Sequence, residues 1–147
     1  MATRIVVEGL EELQARLAEY PDKLHGLMNK ALEESLYALW QAEPGYPPPP
    51  EESGYTRTGT LGRSLGLGGE GKPDIFEVHG YDSAEFGTNL EYAQYVIGDE
   101  SGHQAWMHQG RWWTLVGTVV EAAQNKIQEV WDRMADAAAA FLDGRGL

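Results

Sequence analysis

The tightest constraint on the fold is an apolar stripe near the C-terminal end. Val116, Val119, Val120, Ala123, Ile127, Val130, Met134, Ala137 and Phe141 recur at three- and four-residue steps, and Glu121, Gln124, Gln128, Glu129, Asp132, Arg133 and Asp136 fill the opposite side. The pattern predicts one helix over about 113–142, with Trp131 beside the stripe and Asp143-Gly144 as its stop. A helix with one apolar side needs a second layer to cover it, and the rest of the chain must supply that layer.

A second helical pattern opens the chain. Arg4 to Val7 reads as a short β-branched segment, an edge strand or an arm. After Gly9, the residues Leu10, Leu13 and Leu17 form a narrow stripe, Pro21 marks a kink or restart, and the pattern resumes through Leu24, Leu27, Met28, Ala31, Ser35, Ala38 and Leu39. One kinked helix or two tandem helices are expected over about 9–42, with Leu32, Leu36, Tyr37 and Trp40 widening a face that covers a sheet. Pro44, Gly45 and Pro47 to Pro50 end it, and a Pro-rich loop over 43–54 spans from helix to sheet. Asp74 to Gly80 reads as a strand with Phe76 and Val78 on one face and Ile75, Glu77 and His79 on the other. Asp82-Ser83 is a turn, Ala84 to Phe86 a second strand, and Leu65 to Leu67 a candidate third. The expected fold is α+β: a small antiparallel sheet packed by a long N-terminal and a long C-terminal helix, in one domain of 147 residues.

Between strands and C-terminal helix lies the chemically richest stretch, Glu85 to Leu115. It carries a turn at Gly87-Thr88-Asn89, with Asn89 expected to brace it through its side chain, then Tyr92 and Tyr95, and a Gly- and acid-rich loop from Gly98 to Gly102. Trp106, Trp112 and Trp113, three of the five tryptophans, are here too, with His103 and His108. Such aromatics suit both a core and a contact surface.

Composition narrows the function. The net charge is −12, and residues 51–100 hold 10 acidic against 3 basic groups. An acidic surface keeps a protein soluble and does not grip phosphate, so tight nucleic-acid binding is not expected. With no cysteines, disulfides and thiolate metal sites are excluded. No apolar run approaches a membrane span, and no signal peptide is expected.

Catalytic constellations are weak. His103 and His108 are five apart and miss the i, i+4 spacing of a helical metal pair. His25 and His79 are expected to face solvent. The glycines from Gly66 to Gly71 lack the Lys-Ser/Thr of a phosphate loop, and no G-x-S-x-G elbow is present. Adjacent carboxylates such as Glu11/Glu12, Glu33/Glu34 and Asp99/Glu100 are expected to be solvated. No enzyme activity, metal or cofactor is expected. A monomeric adaptor that binds through the Trp-rich loop and an unrecognised hydrolase are the alternatives.

Two motifs carry a family resemblance. Arg57-Thr58-Gly59-Thr60-Leu61-Gly62-Arg63-Ser64-Leu65 resembles an R-T-G-x-L-x-x-S-hydrophobic run, and Phe86-Gly87-Thr88-Asn89-Leu90-Glu91-Tyr92-Ala93-Gln94-Tyr95-Val96 a G-T-N-hydrophobic-x-Y-A-x-Y-hydrophobic run. Both runs, in this order, are similar to those of the neck and tail-completion proteins of lambda-like long-tailed bacteriophages. The chain departs after the second motif, where Val96-Ile97-Gly98-Asp99-Glu100 replaces the family's Glu-hydrophobic-Gly-Thr step. The resemblance implies a structural virion protein at the head–tail junction or the top of the tail, made in the host cytoplasm. It implies a homo-oligomeric ring, with a hexamer expected, that touches neighbouring neck or tail proteins and lets DNA pass without tight binding. Thr58, Gly59, Leu61 and Ser64, with Gly87, Thr88, Asn89, Tyr92 and Tyr95, are then expected to set the local fold or the protomer contact. Trp106, His108, Arg111 and Trp112 are expected near a partner.

Overall fold

The structure is a computed structural model that describes residues 2–8, 21–47, 59–69 and 71–142. Its sheet has three antiparallel strands, β1 (Thr3–Glu8), β2 (Ile75–His79) and β3 (Ser83–Thr88), in the order β1-β3-β2. β2 and β3 form a hairpin closed by Gly80, at φ 59°, and by the Asp82 N–H donated to the His79 carbonyl at 3.1 Å. β1 is an edge strand, as the sequence suggests.

The helices are α1 (Pro21–Gln41), α2 (Thr60–Ser64), α3 (Ala93–Ile97) and α4 (Glu121–Leu142). α1 is described from Pro21, a residue that suits a first helical turn; the predicted stripe at Leu10, Leu13 and Leu17 lies outside the described residues. α1 turns Leu24, Met28, Leu32, Leu36 and Leu39 into the core. It meets all three strands, through a sheet face that includes Ala84 and Phe86, and also lies along α4. Sheet and C-terminal helix thus share one core through α1, and the α+β architecture is the one expected. Among the described residues no helix is long and apolar enough to cross a membrane.

The helix pair carries one buried polar joint. Ser35 Oγ donates to the Ala31 carbonyl at 2.8 Å and accepts the Trp131 indole N–H at 3.2 Å. Trp131, read from sequence as lying beside the stripe, is buried. Trp131→Phe is expected to cost about 1–2 kcal/mol, from the lost hydrogen bond and the smaller ring; urea unfolding at unchanged slope measures it.

Three local expectations are corrected. Gly87 and Thr88 are not in a turn but extend β3, because β1 pairs with that stretch as far as Thr3↔Thr88 and gives it main-chain partners. Leu65 to Leu67 is not a strand. The segment leaves the short helix Thr60–Ser64 and enters a tight turn at Leu67–Gly69, since Gly66, Gly68 and Gly69 take φ of 73°, 82° and 75°, values foreign to a strand. The C-terminal helical segment starts at Leu115, not Trp113, and its first turns, Leu115–Val120, are widened to π geometry. Thr114 Oγ1 accepts the Gly117 N–H at 3.1 Å there, a side-chain cap that fixes the start. The expected Gly144 stop and residues 48–54 of the Pro-rich loop lie outside the described residues.

Candidate functional site

The two sequence motifs meet in space. Leu61 and Ser64, on α2, are buried, as is Thr88 at the end of β3. The Leu90 N–H donates to Thr88 Oγ1 at 3.1 Å, Thr88 Oγ1 donates to Ser64 Oγ at 2.7 Å, and Ser64 Oγ donates to the Leu61 carbonyl at 2.7 Å. Each hydroxyl both gives and receives, so the relay is satisfied without water. A second tie runs beside it: the Asp74 N–H bonds the Ser64 carbonyl at 2.8 Å, and the Asp74 carboxylate accepts the Asn89 N–H at 3.3 Å. The chain leaving β3 is therefore held by the Thr88 side chain and by the backbone N–H of Asn89. Gly59 precedes α2 at φ 78°, and Gly87 lets β1 approach β3 closely. Thr58 lies outside the described residues. Leu61, Ser64, Gly87 and Thr88 are buried within the protomer's own packing.

The aromatic residues of the second motif lie elsewhere. Tyr92 and Tyr95 flank the start of α3 and are 46% and 58% exposed, while Trp106 and Met107, in a tight turn at Trp106–His108, are 80% and 51% exposed. The Ala105 N–H donates to the Tyr95 carbonyl at 2.9 Å and ties that turn to α3. Gln104 Nε2 holds the same region together, donating to the Val96 carbonyl at 2.6 Å and the Trp112 carbonyl at 3.1 Å. The loop between is built around Asp99, whose Oδ1 accepts the N–H groups of Ser101 at 2.9 Å and His103 at 3.1 Å. Desolvation pushes the Asp99 carboxyl upward, but these N–H donors and the His103 ring outweigh it and hold the group below its ordinary value.

The tryptophans divide. Trp112 and Trp113 are half-buried against the core. The Trp112 ring meets Tyr46 edge-on at 5.8 Å, and the Trp113 indole N–H donates to the Gly45 carbonyl at 3.1 Å, so both pin the segment after α1 to the approach to α4. Trp106 points outward. His108 is half-buried, with its carbonyl accepting the N–H groups of Arg111 and Trp112 at 3.0 Å each, and the Arg111 side chain is exposed.

Two features escape sequence reading. Glu43, just past α1, has both carboxylate oxygens shielded and without a hydrogen-bond partner, and burial pushes its carboxyl up to about 8. Its only sequence signal is an acid next to a helix C-terminus, where the dipole disfavours negative charge. The second is on the outer sheet face, where Glu77, His79 and Glu85 converge with ligand atoms within 4.8 Å of one another. Strand alternation puts Glu77 and His79 on one face, but only the hairpin register adds Glu85. Among the described residues this is the one such group of three or more, and neither His103 nor His108 belongs to it. His25, expected to face solvent, is instead stacked on Tyr81 with ring centroids 3.5 Å apart, because the β2–β3 turn docks on α1.

Comparison of the chain with protein-family models, with curated proteins and with solved structures finds no match.

Proposed function

We propose that the chain is a structural protein of a tailed-bacteriophage virion, a neck or tail-completion component. In this reading copies join head to tail into a ring, a hexamer, through which DNA passes. The observation that carries it is the outward set of Tyr92, Tyr95, Trp106 and Met107. Tyr95 and Trp106, large aromatics held in solvent by an ordered, hydrogen-bonded loop, have little to give the monomer and much to give a contact. A closed ring needs two different faces on each protomer, and this loop supplies one of them. The resemblance of the two motifs supports the same reading, and the net charge of −12 suits a channel wall that DNA does not adhere to.

Tyr95→Ser and Trp106→Ser are expected to leave the melting temperature nearly unchanged while weakening self-association by about 2 kcal/mol or more each. Sedimentation and negative-stain imaging of wild type and variants measure this. Mass spectrometry of particles purified from the producing host is expected to find the chain in the virion. Its absence from particles with joined heads and tails, or variants that assemble like wild type, would count against the proposal. A chain that stays monomeric yet binds one protein through Trp106 would instead be an adaptor.

A further inference from the structure

We infer that the outer face of the sheet carries a site for a divalent transition-metal ion, built from Glu77, His79 and Glu85. The register places Glu77 directly opposite Glu85, and two like charges facing each other across a ladder destabilise it. His79 lies diagonally, with Nε2 3.2 Å from Glu85 Oε2 and 3.9 Å from Glu77 Oε2. The three donor atoms already sit within 4.8 Å of one another, whereas ligands about 2.0–2.2 Å from one zinc ion lie somewhat closer together. Glu77 and His79 are exposed and can close that gap by rotating, with no change in the strands that carry them.

The fourth side of Glu85 is occupied. Arg4, on β1, lies with Nε 3.5 Å from Glu85 Oε1, leaving Oε2 toward His79. Arg4 thus orients the carboxylate without filling the position between the three donors. An imidazole with two carboxylates selects a first-row transition ion over magnesium or calcium, which prefer oxygen alone. Solvent-side positions remain for water or a ligand from another molecule.

The test is isothermal titration of the full chain with zinc chloride in a non-coordinating buffer. One zinc per chain is expected, with saturation below about 100 μM free metal, weakening as the pH falls because imidazole binds metal only as the free base. His79→Gln and Glu77→Gln are each expected to lower the affinity at least about tenfold with the circular dichroism unchanged, since both side chains are exposed. His103→Gln, which removes the ring beside Asp99, is the control and is expected to leave binding intact. Unchanged affinity in His79→Gln, loss in His103→Gln, or equal competition by magnesium would each overturn the site. The readout does not depend on assembly, so its failure leaves the ring proposal standing.

Discussion

Glu43→Gln is expected to stabilise the protein at pH 7 by on the order of 3 kcal/mol, and to remove much of the dependence of its stability on pH. The buried carboxyl is raised from an ordinary value of 4.5 to about 8 by loss of solvent. Below the ordinary value both folded and unfolded chains hold the proton, and Glu43 contributes no dependence on pH. Between about 4.5 and about 8 the unfolded chain releases its proton and the folded chain does not, so rising pH favours unfolding. Above that window both states are ionised and the penalty stays at its full size. Glutamine has nearly the same shape and cannot ionise. Urea unfolding of wild type and variant from about pH 4.5 to about pH 9 should show two curves that start close together and diverge as the pH rises. A difference independent of pH would mean that Glu43 titrates normally.

Gly87→Ala is expected to cost about 3 kcal/mol or more, and to loosen β1 selectively. A Cβ built at Gly87 would sit 2.1 Å from the Thr3 carbonyl oxygen and 2.6 Å from Arg4 Cα. Both are backbone atoms, so no side-chain rotation relieves the contact; the strands must separate. The pairing from Thr3↔Thr88 to Glu8↔Ser83 is then lost or shifted, while the hairpin of β2 and β3 keeps its own ladder. Hydrogen exchange should show β1 amides losing protection well before those of α1 and α4. Stability within about 0.5 kcal/mol of wild type would show that β1 does not approach this closely.

Much of the architecture was legible because it is written locally. Spacing alone assigned α1 and α4, since the same three- and four-residue steps that predict a helix also say which side must be covered. Phe76 and Val78 marked β2 by alternation. Turn chemistry misled at Gly87-Thr88, where residues common in turns were recruited into a strand by a partner about 80 positions away. Leu65 to Leu67, a candidate strand by sequence, instead follows one short helical turn, Thr60–Ser64, packed by Leu61 and Leu65.

The candidate contact and metal sites divide in the same way. That Tyr92, Tyr95 and the tryptophans would matter was plain from their size, but identical side chains took opposite roles. Trp131 is buried, Trp112 and Trp113 are wedged against the core, and Trp106 stands in solvent. Nothing in the indole decides this; the elements packed around it do. By itself the sequence determined which segments are helical or extended, which of their sides are apolar, and a net charge unsuited to gripping DNA. Only the tertiary structure decided that Ser64 and Thr88 share a buried hydroxyl relay, that Glu43 is stripped of water, and that Glu77, His79 and Glu85 stand together. Periodicity records a residue's own side of its own element, whereas burial and pairing depend on what distant chain arrives opposite it.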